Sequence, residues 1–435
     1  MRVDADCRPV QNRRGLAVVF LVVFVDLAGF GIVIPILPFF ARSFGASELV
    51  IGLLAATYSL MQFGFAPLLG ALSDRYGRRL VMVVSLAGAV IAWTIFGFAT
   101  GLATLFVARG LAGAMGGNIA AAQASVADLT TPEERPKALG YLGAAFGLGF
   151  VFGPVIGAAL AFEGTVAAVD GIAPAFVPVS PFSLPAFGAA ATSLLALVLA
   201  ATLLPATKGE TERESQLDAL RSALAAPGLR GLLGAFFLVS FAFSGVQIMF
   251  IPYVADIYGY TESQAALLLA YIGVLAVVVQ GGLIGPLTSR YGDAPLTVFG
   301  AGCLAVSLVG IPAAPAIGRL LPDATGVVGF LTPQLLGLLV VLAALSLGNG
   351  VLSVTLTALV SKGAGSRQGS AFGLTQGAGS LARTIGPVVM GGLYTAVAYW
   401  APFVLGFVLL LPVVVYAVGL PSIAPERPAD PGHVR

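Results

Sequence analysis

The chain has 435 residues, of which 58% are hydrophobic and only 10% are charged. A soluble domain carries roughly 25% charged residues, so the composition excludes a soluble enzyme and a disordered protein. The net charge of +2 supplies no basic surface for nucleic acid. The high hydrophobic and low charged fractions predict an integral membrane protein. Cys7 and Cys303 are far apart and the single histidine is His433, so we expect no metal site.

Apolar runs between polar or Gly/Pro-rich breaks predict twelve membrane-spanning helices, since a span needs about 20 apolar residues. The first six are predicted at 16–40, 49–72, 79–99, 103–127, 137–162 and 183–204, and the second six at 230–253, 264–288, 295–316, 333–358, 368–395 and 398–420. No small-residue cleavage site follows the first run, so the first helix is expected to be retained.

Lysine and arginine predict the orientation. With the N-terminus inside, eighteen of the 22 Lys and Arg residues fall on the inner side, and only Arg42 and Arg319 fall outside. Arg109 and Arg383 fall within apolar runs. Because basic residues are retained on the cytoplasmic side, both termini are predicted to be cytoplasmic.

The two halves of the chain resemble each other. Residues 70–77 (GALSDRYG) recur as residues 285–292 (GPLTSRYG), each time directly after the second helix of the half. A Gly-Pro pair in the fifth helix also recurs, as Gly153-Pro154 and Gly386-Pro387. The repeats predict an all-α membrane protein of two pseudo-symmetric six-helix bundles, related by an axis along the membrane normal.

The predicted organisation follows from this duplication. It comprises a cytoplasmic N-terminal tail (1–15), a first six-helix bundle (16–204), a cytoplasmic linker (205–229), a second six-helix bundle (230–420) and a cytoplasmic C-terminal tail (421–435).

Three motifs resemble those of a known family. Residues 70–79 (GALSDRYGRR) resemble the loop between helices two and three of the major facilitator superfamily. Leu105-xxx-Arg109-xxx-Gly113 resembles the helix-four arginine motif of its drug/proton antiporters, and residues 149–157 (GFVFGPVIG) resemble their helix-five antiporter motif. The resemblance to tetracycline and multidrug exporters implies the twelve-helix major facilitator fold, no enzymatic activity and a place in the bacterial inner membrane.

Asp26 is the candidate proton-coupling residue. It lies about ten residues, or ~15 Å, into the first predicted helix, near the middle of a roughly 30 Å hydrocarbon core. An ionised Asp there costs about 2.5–3.5 kcal/mol on insertion scales, so it must be protonated, paired or in a wet cavity. A carboxyl group that faces each side in turn can carry a proton, and a fixed packing partner is the alternative.

Arg109 is the second candidate for proton coupling. An arginine cannot shed its charge, so within a membrane it needs an anion or a water-filled path. The resemblance implies a part in proton handling, and the alternative is a structural pair.

Charged residues at the predicted cytoplasmic mouth predict a gate, which closes in one state and parts in the other. Its members are Gly70, Asp74, Arg75, Gly77, Arg78, Arg79 and Asp128. In the family the motif aspartate meets the start of helix eleven, where the helix dipole favours an anion. The second copy has Ser289 and Asp293 in place of Asp74 and Arg78, so the gate is expected to be lopsided. A positive-inside anchor is the alternative.

The fifth helix carries a small-residue face. Gly149, Gly153 and Gly157 recur at a spacing of four, which lets another backbone approach closely, and Pro154 favours a kink. The face predicts a hinge and a seal between the halves, and ordinary packing is the alternative.

Further polar residues within the spans are candidates for a substrate cavity. They are Tyr58, Gln62, Asn118, Gln123, Gln247, Gln280, Asn349, Gln376 and Arg383. Polar side chains in a bilayer also join helices to one another. Arg383 either meets Asp26 or an anionic substrate group, or pins helix eleven.

These observations favour proton-coupled antiport of hydrophobic or amphipathic small molecules by alternating access. The alternative is a major facilitator carrier of a sugar, metabolite or lipid working by symport or uniport. A non-transporting membrane protein is disfavoured, because intramembrane charges are costly without use. We expect protons, a small-molecule substrate and lipid as partners, no nucleic acid, no cofactor other than the coupling proton, and a monomer.

Tetracycline itself is not the expected substrate. Tetracycline antiporters carry further acidic residues in helices three and nine and a histidine in the second half. The predicted helices at 79–99 and 295–316 hold no acid, and the predicted spans hold no histidine, which favours a different or broader set of hydrophobic drugs.

Overall fold

The computed structural model describes residues 13–116, 118–131, 134–205, 227–322, 331–364 and 368–420, and its regular elements there are all helical. The α-helices are α1 (Arg13–Val33), α2 (Leu37–Ser43), α3 (Glu48–Tyr76), α4 (Arg78–Gly97), α5 (Leu102–Ala114), α6 (Asn118–Asp128), α7 (Arg135–Ala161), α8 (Glu163–Asp170), α9 (Ser183–Leu203), α10 (Pro227–Tyr258), α11 (Glu262–Val278), α12 (Ile284–Tyr291), α13 (Asp293–Gly318), α14 (Pro333–Ala364), α15 (Gln368–Ala396) and α16 (Ala401–Val418).

The predicted all-α membrane fold is confirmed. Ten stretches of helix in the described part of the chain are long and apolar enough to cross a membrane. The two other predicted spans also form helices. One is α15, whose glycines, polar residues and Arg383 lower its hydropathy, and the other is shared by α5 and α6.

Several predicted helices are interrupted. The first turns at residues 34–36, between α1 and α2, where Pro35 lacks a backbone donor. The eighth carries a π-helical segment, Val279–Leu283, between α11 and α12. The short helix α8 lies between predicted spans five and six and was not expected from the sequence.

The described helices pack into two compact units. Unit 1 comprises Met1–Arg213, Gln247–Gly273 and Arg383–Tyr399, and unit 2 comprises Glu214–Val246, Val274–Ala382 and Trp400–Arg435. The predicted tails lie mostly outside the described residues, and so does most of the linker at 205–229. The division into two six-helix bundles therefore stays a prediction.

In unit 1, α1 packs against α7 and α9, and α4 also packs against α9. A buried core of aliphatic side chains from α1, α3, α4, α6, α7 and α9 joins them, including Val22, Leu86 and Leu142. In unit 2, α13 packs against α14 and α16. Small residues permit close contact there, because a Cβ at Gly300 would lie 2.8 Å from the backbone nitrogen of Leu352.

Candidate functional site

Asp26 lines a small cavity within unit 1. The cavity has a volume of about 30 Å³, and Phe30, Tyr58, Trp93 and Met115 also contribute to its wall. A cavity needs a volume of roughly 10–15 Å³ to hold one water molecule, so this cavity has room for one or two water molecules. Asp26 lies in the middle part of α1, as the sequence predicted. Its side chain is beside a space that water can occupy.

Tyr58 lies at the centre of a charged group of side chains. Asp26, Arg109 and Arg383 all lie close enough to Tyr58 to act on it electrostatically, and we refer to these four residues as the central site. The amide of Gln62 donates to the Tyr58 hydroxyl across 3.4 Å. The structure thus brings together both predicted coupling residues and three of the predicted cavity residues.

Arg109 is buried against aromatic rings. Its side chain is 5% exposed, and its guanidinium carbon lies 4.6 Å from the centre of the Tyr58 ring and 5.9 Å from that of Phe30. Cation–π contact of this kind stabilises a desolvated guanidinium. The Nε atom is buried and has no hydrogen-bond partner among the described residues, so one donor of this charged group has no acceptor in this conformation.

The packing that holds Arg109 in place depends on glycine. A Cβ at Gly113, one turn after Arg109, would clash with the backbone of Tyr58. The arginine motif of the fourth predicted helix therefore includes a glycine, Gly113, that lets α5 pack closely on α3. This packing places Arg109 against the ring of Tyr58.

Arg383 lies midway along α15 and is exposed. A charged side chain at the middle of a span avoids lipid and faces a water-filled space instead. Its exposure, together with its closeness to Tyr58, identifies it as a charged group on an open wall beside the central site.

The predicted gate residues of the first half form an ion cluster. Arg78 pairs with Asp74 and also donates through Nε to Asp128 Oδ2 across 3.1 Å. We name Asp74, Arg78 and Asp128 the cytoplasmic cluster. The Arg78 side chain is 9% exposed, so the cluster holds a nearly buried guanidinium between two carboxylates.

The other residues of the motif support this turn. Gly77 has a φ of 96°, a conformation that glycine adopts readily. Arg79 donates to the carbonyl of Ala201 at the end of α9, and Arg75 lies over the ring of Tyr76. Gly70 lies within α3. The motif thus joins α3, α4, α6 and α9, and its role as a gate stays a prediction.

The second copy also carries an ion pair, which the sequence did not reveal. Lys362 Nζ lies 2.6 Å from Asp293 Oδ2. Asp293 begins α13 just as Arg78 begins α4, and Lys362 lies near the end of α14 as Asp128 ends α6. The pairing is repeated with its charges reversed. The expectation of a lopsided arrangement missed this partner, because Lys362 lies outside the motif.

The glycine face of the fifth predicted helix packs on α1. A Cβ at Gly153 would lie 2.6 Å from the Gly31 Cα, and others at Gly149 and Gly157 would meet Leu27 and Ile32. These contacts lie within the first sequence half, and the predicted seal between the halves stays a prediction. The predicted hinge at Pro154 depends on the backbone hydrogen bonds within α7. The hinge role stays a prediction.

A different face of α7 contacts the second sequence half. Ser263 on α11 donates to the Ala158 carbonyl across 3.0 Å. A Cβ at Gly273 on the same helix would meet Val151 at 3.0 Å. The contact between sequence halves therefore lies beside the glycine face.

The role of the remaining cavity candidates stays a prediction. Gln123, Gln280 and Gln376 are exposed, and Gln247 and Asn349 are half-buried. Gln280, Asn349 and Gln376 belong to unit 2. The side chain of Asn118 lies outside what the structure describes.

Sequence reasoning missed one polar cluster in unit 1. Arg42 binds both Glu48 and Asp256, and Tyr394 donates to Asp256. The available signal was that Arg42 is one of two basic residues on the predicted outer side.

Comparisons with known proteins agree with this architecture. The family model "Major Facilitator Superfamily" matches residues 19–387. The chain is 30% identical to the class G tetracycline resistance protein of Vibrio anguillarum over 94% of this chain and 97% of the relative. It is 27% identical to multidrug resistance protein 2 of Bacillus subtilis (strain 168), over 94% of each chain.

A solved structure is similar throughout its length. It is a bacterial homologue of the human lysosomal transporter Spinster in an inward-facing, occupied conformation, with a TM-score of 0.69 at 16% sequence identity. The match covers 93% of each chain. These relatives are membrane transporters and not enzymes, and the chain belongs to the major facilitator superfamily.

Proposed function

We propose that the protein exports hydrophobic or amphipathic small molecules in exchange for protons, by alternating access. The observation that carries the proposal is the placement of Asp26, midway along a membrane-spanning helix and on the wall of a cavity beside Tyr58. The similarity to tetracycline and multidrug resistance proteins supports efflux of drug-like molecules.

Asp26 is the proposed proton carrier. Its carboxyl group is the acidic member of the central site, and Arg109 and Arg383 are the basic members. Desolvation favours the neutral, protonated acid, whereas the nearby guanidinium groups favour the ionised form. The proposed mechanism requires that a change in hydration between the two states shifts this balance far enough to load or release the proton.

The proposed substrate surface is aromatic. The ring centre of Phe30 lies 5.1 Å from that of Tyr58, 6.2 Å from that of Phe150 and 6.3 Å from that of Trp93. Aromatic side chains offer large apolar area with defined geometry. A flat, greasy molecule fits such a wall, which supports amphipathic drugs as the substrate class.

Transport by purified protein in liposomes tests the proposal. With a preset pH gradient, adding a hydrophobic drug should collapse the gradient and move the drug. Asp26→Asn should abolish this gradient-driven movement and retain drug-for-drug exchange, because exchange needs no net proton transfer. Asp170→Asn, which removes an exposed carboxylate at the end of α8, is the matched control and should behave as the parent protein. Full proton-driven transport by Asp26→Asn would remove Asp26 from the mechanism.

A second candidate is transport of a metabolite or lipid that carries an anionic group. The observation that favours it is the presence of two guanidinium groups and one carboxyl group around Tyr58, since a net positive site attracts an anion. Anionic and cationic dyes of similar size, compared in the same liposomes, separate the candidates. Movement of the anion without any change in internal pH would favour a uniporter.

We further propose that both termini face the cytoplasm and that the protein resides in the bacterial inner membrane. The excess of basic residues on one predicted side supports this orientation. A protease-sensitive tag at either terminus should be cleaved in inverted vesicles and protected in intact cells.

A further inference from the structure

An apolar groove runs along α13 in unit 2. The groove has a volume of about 540 Å³, within the range of roughly 300–1,000 Å³ that is typical of sites for small molecules. One wall is a face of α13, and the other is a short stretch of α14 around Val340, Val341 and Ala344. Both helices belong to unit 2, whereas the four residues of the central site belong to unit 1.

Glycine shapes this groove in two ways. A Cβ at Gly300 would lie 2.8 Å from the backbone nitrogen of Leu352, and a Cβ at Gly348 would lie 2.5 Å from that of Leu304. The two helices therefore meet backbone to backbone beside the groove. Gly302 lines the groove itself, and a Cβ there would meet no heavy atom of another described element within 4 Å. The missing side chain leaves space between the walls.

The groove is long and narrow. It follows α13 from Phe299 to Ile317, a length of about 27 Å at 1.5 Å per residue. Its volume of about 540 Å³, spread over that length, gives a mean width of about 5 Å. Carbon atoms in contact lie about 3.5–4.0 Å apart, so the groove takes one hydrocarbon chain. A helix of a partner protein is about 10–12 Å wide and cannot enter it.

The polar side chains that line the groove already have hydrogen-bond partners. Cys303 Sγ donates to the carbonyl of Ala344 across 3.2 Å, and Ser307 Oγ donates to that of Cys303 across 2.7 Å. Sites for drug-sized molecules combine an apolar wall with a few polar groups that fix the ligand. Because the thiol and the hydroxyl are both engaged, the groove offers apolar contact, which favours a hydrocarbon over a drug with hydrogen-bonding groups.

The rim of the groove is continuous with the surface that the bilayer covers. The helices α13 and α14 are both long and apolar enough to cross a membrane. Val306 lies midway along α13 and is 69% exposed, and Phe299 and Val340 on the rim are also exposed. Exposed apolar side chains at the middle of a span are in contact with acyl chains. The groove therefore opens to lipid.

We propose that this groove binds an acyl chain of a membrane phospholipid. The inference goes beyond the transport function proposed above and does not depend on it. An acyl chain in the bilayer is already surrounded by hydrocarbon, so it gains no hydrophobic transfer energy by entering. It gains dispersion contacts with walls on several sides. The site therefore selects by shape, and it admits a linear chain but not a broad, rigid ring system.

Photochemical labelling of the reconstituted protein tests the proposal. The full-length protein is placed in liposomes with a phosphatidylcholine that carries a diazirine within one acyl chain. After illumination, mass spectrometry measures the label on each residue. Val306 and Val340 report on the groove. Val408, an exposed residue midway along α16 in the same unit, reports on ordinary contact with lipid.

We expect the label on Val306 and Val340, relative to their exposed areas, to exceed that on Val408 about five-fold, a ratio that corresponds to about 1 kcal/mol. Gly302→Leu places a side chain in the open part of the groove and should lower the label on Val340 to the level of Val408. Gly234→Leu is the matched control, because Gly234 on α10 is also exposed, has open space around it and belongs to unit 2. It should leave the labelling unchanged.

A photoactive sterol in the same liposomes tests the selection by shape. Its fused rings are wider than a single chain, so it should label Val408 without enrichment at Val306 or Val340. Enrichment of the sterol in the groove that equals that of the phospholipid would contradict a site for a linear chain.

Three results with the phospholipid would overturn the proposal. The first is equal labelling of Val306, Val340 and Val408 in the parent protein, which needs no variant. The second is less label in the groove than on Val408, as a second copy of the chain covering this face would produce. The third is an enrichment that persists in Gly302→Leu. Failure of proton-driven drug export would leave the labelling pattern unchanged, so the two proposals fail separately.

Discussion

The two copies of the repeated loop hold opposite charges on the same backbone turn. In the first copy, α4 begins with Arg78, after a glycine with a φ of 96°. In the second copy, α13 begins with Asp293, after a glycine with a φ of 77°. Arg78 has two carboxylate partners and is nearly buried, whereas Asp293 has one lysine partner that is 57% exposed.

The helix dipole explains this difference in partner number. The start of a helix is electrically positive, so it favours Asp293 and disfavours Arg78. The first copy offsets the unfavourable placement of its arginine with Asp74 and Asp128. In the second copy the helix dipole already stabilises the Asp293 carboxylate, so one exposed lysine partner is sufficient. A duplicated turn therefore tolerates either charge when the neighbouring residues change with it.

The largest effect is expected from Arg78→Asp, which places at the start of α4 the kind of residue that Asp293 places at the start of α13. Three carboxylates would then meet where one buried guanidinium had paired two of them, and removing one partner of a buried pair costs about 3–5 kcal/mol. We expect a large fall in the midpoint of thermal unfolding in detergent, with loss of transport.

The matched rescue combines Arg78→Asp with Asp74→Ser and Asp128→Lys, which installs the chemistry of Ser289, Asp293 and Lys362. If the helix dipole governs partner number, this triple variant should recover most of the lost stability. A triple variant that is no more stable than the single variant would contradict that explanation.

Asp74→Asn should have a smaller effect. Arg78 would keep Asp128, so the guanidinium would lose one of its two carboxylates, a change of about 1.5–3 kcal/mol for a hydrogen bond to a charged group. We expect a moderately lower unfolding midpoint and slower transport in liposomes. Unchanged transport at lower stability would make Asp74 a structural anchor and not part of a gate.

The sequence predicted the helices well because hydropathy dominates in a membrane. Every predicted span forms helix in the described residues, since a spanning backbone must satisfy its hydrogen bonds within itself. It did not predict the π-helical segment at Val279–Leu283. The π-helical turn includes Gly281 and Gly282, which are exposed and have open space around them, and composition does not reveal which turn of a helix takes an extra residue.

The sequence predicted the central site only in part. Asp26 and Arg109 were identifiable because single charges in apolar runs are rare, and Tyr58 was one of several polar candidates. The pairs of Arg42 with Asp256 and of Asp293 with Lys362 could not be predicted. Their members lie at helix ends, where charges are common, and are separated by 214 and 69 residues, so only the fold brings them together.

Lys362→Gln should have the smallest effect, and it separates the contribution of the lysine from that of the helix dipole. The ion pair with Asp293 is exposed on its lysine side, and such pairs contribute about 0.2–1 kcal/mol. Asp293→Asn removes the same ion pair and also the favourable interaction of the carboxylate with the start of α13, which adds about 0.3–1 kcal/mol. We therefore expect the unfolding midpoint to fall less for Lys362→Gln than for Asp293→Asn. At about 1 M salt, where the Debye length is about 3 Å, the effect of Lys362→Gln should nearly vanish. Equal effects of the two variants would show that the lysine, and not the helix dipole, holds the aspartate in the second copy.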